Sequence, residues 1–416
     1  MTRSAPDSCP GVLRLHEAAD GPLARIRLPG GRLRPDQLQA LAEAARTLGD
    51  GAIELTSRGN VQLRRIHDAT ALAERLAAAD LLPSPTHERV RNIIASPLSG
   101  RVGGLTDVRD VVPRLDEALR AAPALAELPG RVLFTLDDGR GDISGLGGDF
   151  GVHATGESTY ALLLGGRDSG IRIPADDAVA VLLAAAHEFQ GLRGERWRVH
   201  EVDDGPARIA AALGRPATAE SLEFAAPHDI PIGWHDQRDG LVSLGAGIPL
   251  GSLPARTAEF LAAVDRPIVL TPWRSLVLAD LDEWAAEQVV RVLAPMGLIF
   301  DAASPWLLVT ACAGQPGCAK SRTDVRADAA AAVAGGRVLH HTAELDAPEG
   351  ITAGEHGPSD SPEAELRGLD ATEIVGAGRQ HWSGCERRCG RPRGAVTDVV
   401  AEQDGYRITP PGRPRD

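Results

Sequence analysis

Apolar and polar positions along the first eighty residues predict strand, helix, strand, strand, helix. Ala24 to Leu28 alternates, the LPGG tetrapeptide turns the chain, and Pro35 opens a helix with Leu38, Leu41, Ala45 and Leu48 on one face. Ala52 to Thr56 reads as a strand, SRGN as a turn and Val61 to Arg65 as the returning strand. Asp68 then caps a helix carrying Leu72 and Leu76.

The same order returns about 220 residues later, a spacing far too long for a solenoid and suited to duplication of a whole half. LPGGRL at Leu28 to Leu33 is echoed by IPLGSL at Ile248 to Leu253, and IELTSRGNVQL at Ile53 to Leu63 by IVLTPWRSLVL at Ile268 to Leu278. A helix containing Trp284, Val289 and Leu293 follows the second copy. The chain therefore reads as two pseudo-symmetric halves, each a small module followed by a larger one, of class α/β (α+β). The expected segments are 12–83, 84–228, 229–302 and 303–410.

Within the larger segments the pattern predicts strands around Ala161 to Leu164 and helices near Ala178 to Glu188 and Asp324 to Ala334. A glycine-rich strip, Gly139 to Gly151, lacks the G-x-G-x-x-G spacing of a dinucleotide fold and reads as a ligand-facing loop or a plain hairpin loop. Leu345 to Asp370 is poor in apolar residues and reads as an exposed, dispensable insertion. Val396 to Ala401 and Tyr406 to Thr409 flank Asp404-Gly405 as a hairpin.

Composition narrows the function. The chain has 416 residues, 43% hydrophobic and 24% charged, and a net charge of −13, a poor starting point for a nucleic-acid binder. No run of eighteen apolar residues and no apolar leader are visible, so a cytoplasmic protein without membrane partners is expected. Lys320 is the only lysine. Anion sites must therefore be built from guanidinium groups, which grip carboxylates bidentately.

Four of the five cysteines form two tight pairs, Cys312 with Cys318 (C-x5-C) and Cys385 with Cys389 (C-x3-C). Four thiolates can saturate one metal centre, and the pattern reads as an iron-sulfur cluster. Structural zinc remains an alternative, although its knuckles usually space ligands two to four residues apart. Two disulfides or unliganded thiols remain further alternatives. Cys9 is left over, in what reads as an N-terminal tail.

These two cysteine motifs resemble the cluster signature of the sulfite and nitrite reductase family. The flanking text, RVRNIIASPLSG at Arg89 to Gly100, LPGRVLFTLDDG at Leu128 to Gly139 and LTPWRSLVL at Leu270 to Leu278, is most similar to its precorrin-3B synthase branch. The resemblance covers roughly residues 12 to 410. It implies a duplicated nitrite/sulfite reductase-like fold, with small ferredoxin-like half domains alternating with larger α/β domains. It also implies a 4Fe-4S cluster on Cys312, Cys318, Cys385 and Cys389.

In the branch, as the resemblance implies, precorrin-3A takes an oxygen from dioxygen at C20 and its ring A acetate closes a lactone. The cluster relays electrons from NADH through a donor reductase, and a mononuclear non-heme iron serves dioxygen. Two other functions stay open: a siroheme-dependent sulfite or nitrite reductase, and a non-catalytic iron-sulfur electron-transfer subunit.

Arginines at element ends are the candidate anion binders: Arg58, Arg64, Arg65, Arg89, Arg91 and Arg131. By the resemblance, Arg58 (T-x-R), Arg91 (R-N) and Arg131 (first basic position of an L-P-x-K-x-K-like stretch) bind substrate. Leu133 stands where that stretch has its second cation, which argues against reduction of a small inorganic anion. The non-heme iron has no assignable ligands; His153 and His381 read more readily as hydrogen-bonded or surface histidines. Lys320 either tunes the cluster by its charge or lies in solvent.

Overall fold

The computed structural model describes residues 9–225, 230–339, 366–369 and 376–411. It divides into two compact units, one of residues 1–17 and 22–300, the other of residues 18–21 and 301–416.

The two small modules of the first unit each form a five-stranded sheet, and each borrows an edge strand from the other. One sheet runs His16–Ala18, Gly21–Ile26, Val61–Leu63, Ala52–Leu55, Ser252–Pro254; the other runs Gly233–Asp236, Val242–Gly247, Ser275–Leu281, Ile268–Leu270, Arg32–Leu33. Leu253 pairs with Ile53 and, reciprocally, Leu33 pairs with Ile268. The helices that follow the exchanged strands, Pro35–Leu48 and Ala255–Ala263, pack on each other.

Apolar side chains of both modules, from Leu38, Leu41 and Leu63 to Leu261, Leu278 and Leu293, consequently pool in one core. The segments expected as separate half domains, 12–83 and 229–302, share that interior. Sequence inspection saw the LPGGRL and IPLGSL stretches chiefly as turns, because an edge strand of two or three residues carries no periodicity of its own. The exchange needs close backbone approach. A Cβ on Gly31 would sit 1.9 Å from the Leu270 carbonyl oxygen, and the residue has a left-handed φ of 68°.

The larger domain of the first unit has strand order Arg167–Pro174, Thr159–Leu164, Phe150–Gly156, Phe134–Asp137, Ile93–Ala95. The last three are mutually parallel and the first two antiparallel. Helices Val111–Arg120 and Ala178–Leu192 cover it around Phe134, Phe150 and Phe189. The glycine-rich strip joins two parallel strands, so it is not a hairpin loop.

The second unit repeats the plan: Val309–Ala311, Gln380–Ser383 and Thr397–Glu402 are parallel, and Gly405–Thr409 and Leu366–Leu369 complete the sheet antiparallel. Helix Val325–Ala334 follows the first cysteine pair, its Asp324 cap accepting from the Ala327 amide at 3.2 Å. The predicted hairpin forms, with Glu402 opposite Gly405. Leu366–Leu369 corrects the expected insertion: Leu366 and Leu369 pair with Ile408 and Tyr406 of the last strand. The rest of Leu345 to Asp370 lies outside the described residues.

Candidate functional site

In the second unit, both cysteine motifs start at the carboxyl ends of adjacent parallel strands, where open α/β sheets place ligands. Ala311 lies opposite Trp382, and the Cys312 amide donates to the Trp382 carbonyl at 3.0 Å. The Gly384 amide donates to Cys312 Sγ at 3.3 Å, and the Arg322 amide to the Gly384 carbonyl at 3.0 Å. Gly384 leaves no room for a side chain, since a Cβ would come within 1.7 Å of Ser321 Oγ.

Burial pushes the Cys389 thiol up, and the sulfurs of Cys312, Cys385 and Cys318 add to the shift, so each of the three lies within electrostatic reach of Cys389. They are not drawn as close as a single ion requires. Among the described residues, the group of three or more metal-ligand atoms within 4.8 Å of one another is Asp137, Asp138 and Asp142, not the thiols. Tetrahedral zinc holds sulfurs closer than that, at about 2.3 Å from the ion. Four thiols are a donor set that an iron-sulfur cluster can use.

His381 is buried and shares a hydrogen bond of 2.9 Å with Thr310 Oγ1, while Lys320 is exposed.

In the first unit, the strand Gly21–Ile26 turns Ala24 and Ile26 into the core and Arg25 to the other face, where Arg27 follows just beyond the strand's end. Arg58, Arg131 and Arg198 join them. Burial pushes the Arg58 guanidinium down to about 10, with Arg198 next in effect, and Arg25 is lowered by burial and further by Arg131. Arg27 is 3% exposed, and burial followed by the charge of Arg25 pushes it down to about 9. Arg27 and Arg58 still remain ionised at neutral pH.

Arg25 Nε donates to Gln62 Oε1 at 3.0 Å, whereas the partners of Arg27 and Arg58 are few. Arg27 Nε and Nη1 have no hydrogen-bond partner, and its Nη2 donates to the Pro10 carbonyl at 3.3 Å. Arg58 Nη1 donates to the Gly130 carbonyl at 3.5 Å, and Arg131 stacks over Trp197 at 5.0 Å. Arg198 is held by Asp149 at 2.7 Å. Buried positive charge is thus left under-partnered at Arg27, within reach of the part-buried Arg25 and Arg58. Such charge is costly unless an anion meets it.

Arg91 departs from the expectation. Its Nε and Nη2 donate to the two carboxylate oxygens of Asp116 at 2.6 and 2.9 Å in a buried bidentate pair. The fork that would grip a ligand is occupied by the helix Val111–Arg120, which carries Asp116. Arg64 faces Glu54 at 3.8 Å, and Arg65 is exposed.

Sequence inspection missed Arg25, Arg27 and Arg198. The alternation of the first strand held the signal for the first two, because residues between core positions point to the opposite face. Cys9 is not remote either. Its sulfur acts on Arg25, Arg27 and Arg58, and the segment after it is clamped by Glu88, which accepts from the Val12 amide at 2.6 Å.

The glycine-rich strip is organised around carboxylates. Asp137 accepts from the amides of Gly139, Gly141, Ile143 and Ser144, and His153 Nδ1 lies 3.3 Å from it. Asp142 is left with poor compensation: burial, then the charge of Asp137, pushes it up to about 7 against a hydrogen bond from Ser96 Oγ. Below its ordinary carboxylate range both folded and unfolded states hold this proton; between about pH 4 and 7 only the folded state does, so stability falls as pH rises through that window. Asp142→Asn is therefore expected to raise the thermal midpoint at pH 8 and to leave it unchanged at pH 4. Equal effects at both pH values would contradict this reading.

No helix among the described residues is long and apolar enough to cross a membrane.

Comparison with known proteins bears out the resemblance. A family model described as the nitrite/sulfite reductase ferredoxin-like half domain matches residues 16–79. The chain is 26% identical over 415 residues to a precorrin-3B synthase of Sinorhizobium sp, covering 96% of this chain and 81% of that protein. It is 27% identical over 432 residues to a ferredoxin–nitrite reductase of Synechococcus elongatus, covering 91% and 75%. The structure of the Mycobacterium tuberculosis NirA protein superposes with a TM-score of 0.72 at 17% identity, over 93% of this chain and 73% of that one. The fold is the duplicated one of nitrite/sulfite reductases, and these relatives support an oxidoreductase.

Proposed function

We propose that this protein binds precorrin-3A and converts it to precorrin-3B. The observation that carries the reading is the buried guanidinium of Arg27, with Nε and Nη1 unpartnered, acted on by the charges of the part-buried Arg25 and Arg58, with Arg131 exposed on the loop that also carries the apolar Leu133. A ligand with many peripheral carboxylates supplies what the arginines lack. A small anion such as nitrite needs a further cation where Leu133 stands.

Cys312, Cys318, Cys385 and Cys389 hold the 4Fe-4S cluster, which supplies electrons one at a time when bound. The chain's own residues bind and orient. The arginines fix the acetate and propionate groups, and their charge keeps the ring A acetate ionised, ready to close the lactone. One oxygen atom of dioxygen becomes the C20 hydroxyl. The other leaves as water with two electrons and one proton drawn from NADH through a donor reductase and a second proton from solvent.

The family similarity to ferredoxin–nitrite reductase keeps a siroheme enzyme as the competing reading. Absorbance of anaerobically purified protein separates the two. A broad brown band alone supports the proposal; sharp red bands of bound siroheme would favour the reductase.

A further inference from the structure

We infer that Trp273 is the apolar platform on which the macrocycle of the site proposed above lies flat, the counterpart of Arg58 in the duplicated half. The inference rests on that proposed reading and deepens it.

The turns Thr56 to Asn60 and Thr271 to Ser275 are built alike, bond for bond. The Thr56 amide donates to the Asn60 carbonyl and the Thr271 amide to the Ser275 carbonyl, each at 2.9 Å. The Arg58 amide donates to Thr56 Oγ1 at 3.4 Å, and the Trp273 amide to Thr271 Oγ1 at 3.3 Å. Gly59 has φ 63° and Arg274 has φ 59°, so the second copy keeps the left-handed residue although a side chain there is disfavoured. Arg58 and Trp273 thus occupy one position in two copies of one turn.

The two turns also meet. A Cβ on Gly59 would lie 3.0 Å from the Leu270 carbonyl oxygen, immediately before the second turn. Trp273, half-buried, packs on Ile94, Leu133 and Ile143. The loop carrying Leu133 also carries Arg131 and the Gly130 carbonyl that accepts from Arg58. Cationic and apolar faces therefore converge on residues 130–133. A ligand with a flat apolar body and a charged rim matches both, whereas a small anion can use only one.

Equilibrium binding to the holoprotein tests this with two probes: uroporphyrin I, a flat octacarboxylic macrocycle, and butane-1,2,3,4-tetracarboxylate, which has charge and no ring. Trp273→Ala is expected to weaken uroporphyrin about ten- to a hundredfold and the tetracarboxylate less than about twofold. Trp273→Phe should restore most of the uroporphyrin affinity. Trp273→Leu, which fills space without a flat face, should not, and this pair decides the matter if the alanine variant fails to fold.

Arg58→Ala should weaken both probes. Unchanged uroporphyrin affinity in Trp273→Ala, or equal loss for both probes, overturns the platform while leaving the carboxylate site standing. Failure of the unaltered protein to bind either probe overturns the underlying site and the platform with it.

Discussion

Cys385→Ser is expected to strip the purified protein of iron and acid-labile sulfide, taking its brown absorbance with them. Serine keeps the size of the side chain but not a thiolate, and three sulfurs leave one corner of the cluster open. The residue sits on the loop leaving a central parallel strand, next to Gly384, whose amide donates to Cys312 Sγ at 3.3 Å. The same loss should follow serine at Cys312, Cys318 or Cys389. Cys9→Ser should keep about four irons and four sulfides per chain, as a single four-cysteine cluster requires. Iron retained in Cys385→Ser together with iron lost in Cys9→Ser would remove the assignment.

Arg27→Met is expected to move stability and binding in opposite directions. The guanidinium is 3% exposed, with Nε and Nη1 lacking partners, so an unbranched apolar side chain of similar length should be tolerated better without ligand. A gain of about 1 kcal/mol or more in unfolding free energy is expected, comparable with leaving one buried polar group unsatisfied.

Binding should suffer, because a charge-assisted pair to carboxylate is worth about 1.5 to 3 kcal/mol, or about ten- to a hundredfold in Kd. Arg58→Ala should show a loss of similar size in precorrin-3A binding with the cluster content unchanged. Denaturant unfolding and ligand titration on the same samples check both signs. A variant that is less stable yet binds as well would show that Arg27 belongs to the scaffold.

How far the chain could be read before its structure depended on the range of the interaction. Helices and turns with local causes were legible: Pro35 and Asp68 mark helix starts, and the Asp404-Gly405 hairpin forms as predicted. The duplication was legible too, because two copies share text. The reciprocal edge strands were not, since the pairing of Leu33 with Ile268 joins residues far apart in sequence and leaves no local pattern.

The candidate site divides along the same line. Cysteine spacing is a local signal and pointed to a cluster. Arginines at element ends gave Arg58 and Arg131 but also Arg91, whose pairing with Asp116 is a tertiary contact that spacing cannot reveal. Arg198 joins the site through folding alone. Only the repeat hinted at Trp273, by aligning TPWRS with TSRGN.

The most direct test supplies the anaerobically purified holoprotein with precorrin-3A, NADH, a donor reductase and isotopically labelled dioxygen, and follows the tetrapyrrole by mass spectrometry. The account predicts a product heavier by one labelled oxygen atom, formed only when dioxygen and reductant are both present. Precorrin-3A recovered unchanged, by a protein that carries siroheme and reduces nitrite or sulfite under the same donor, would contradict it.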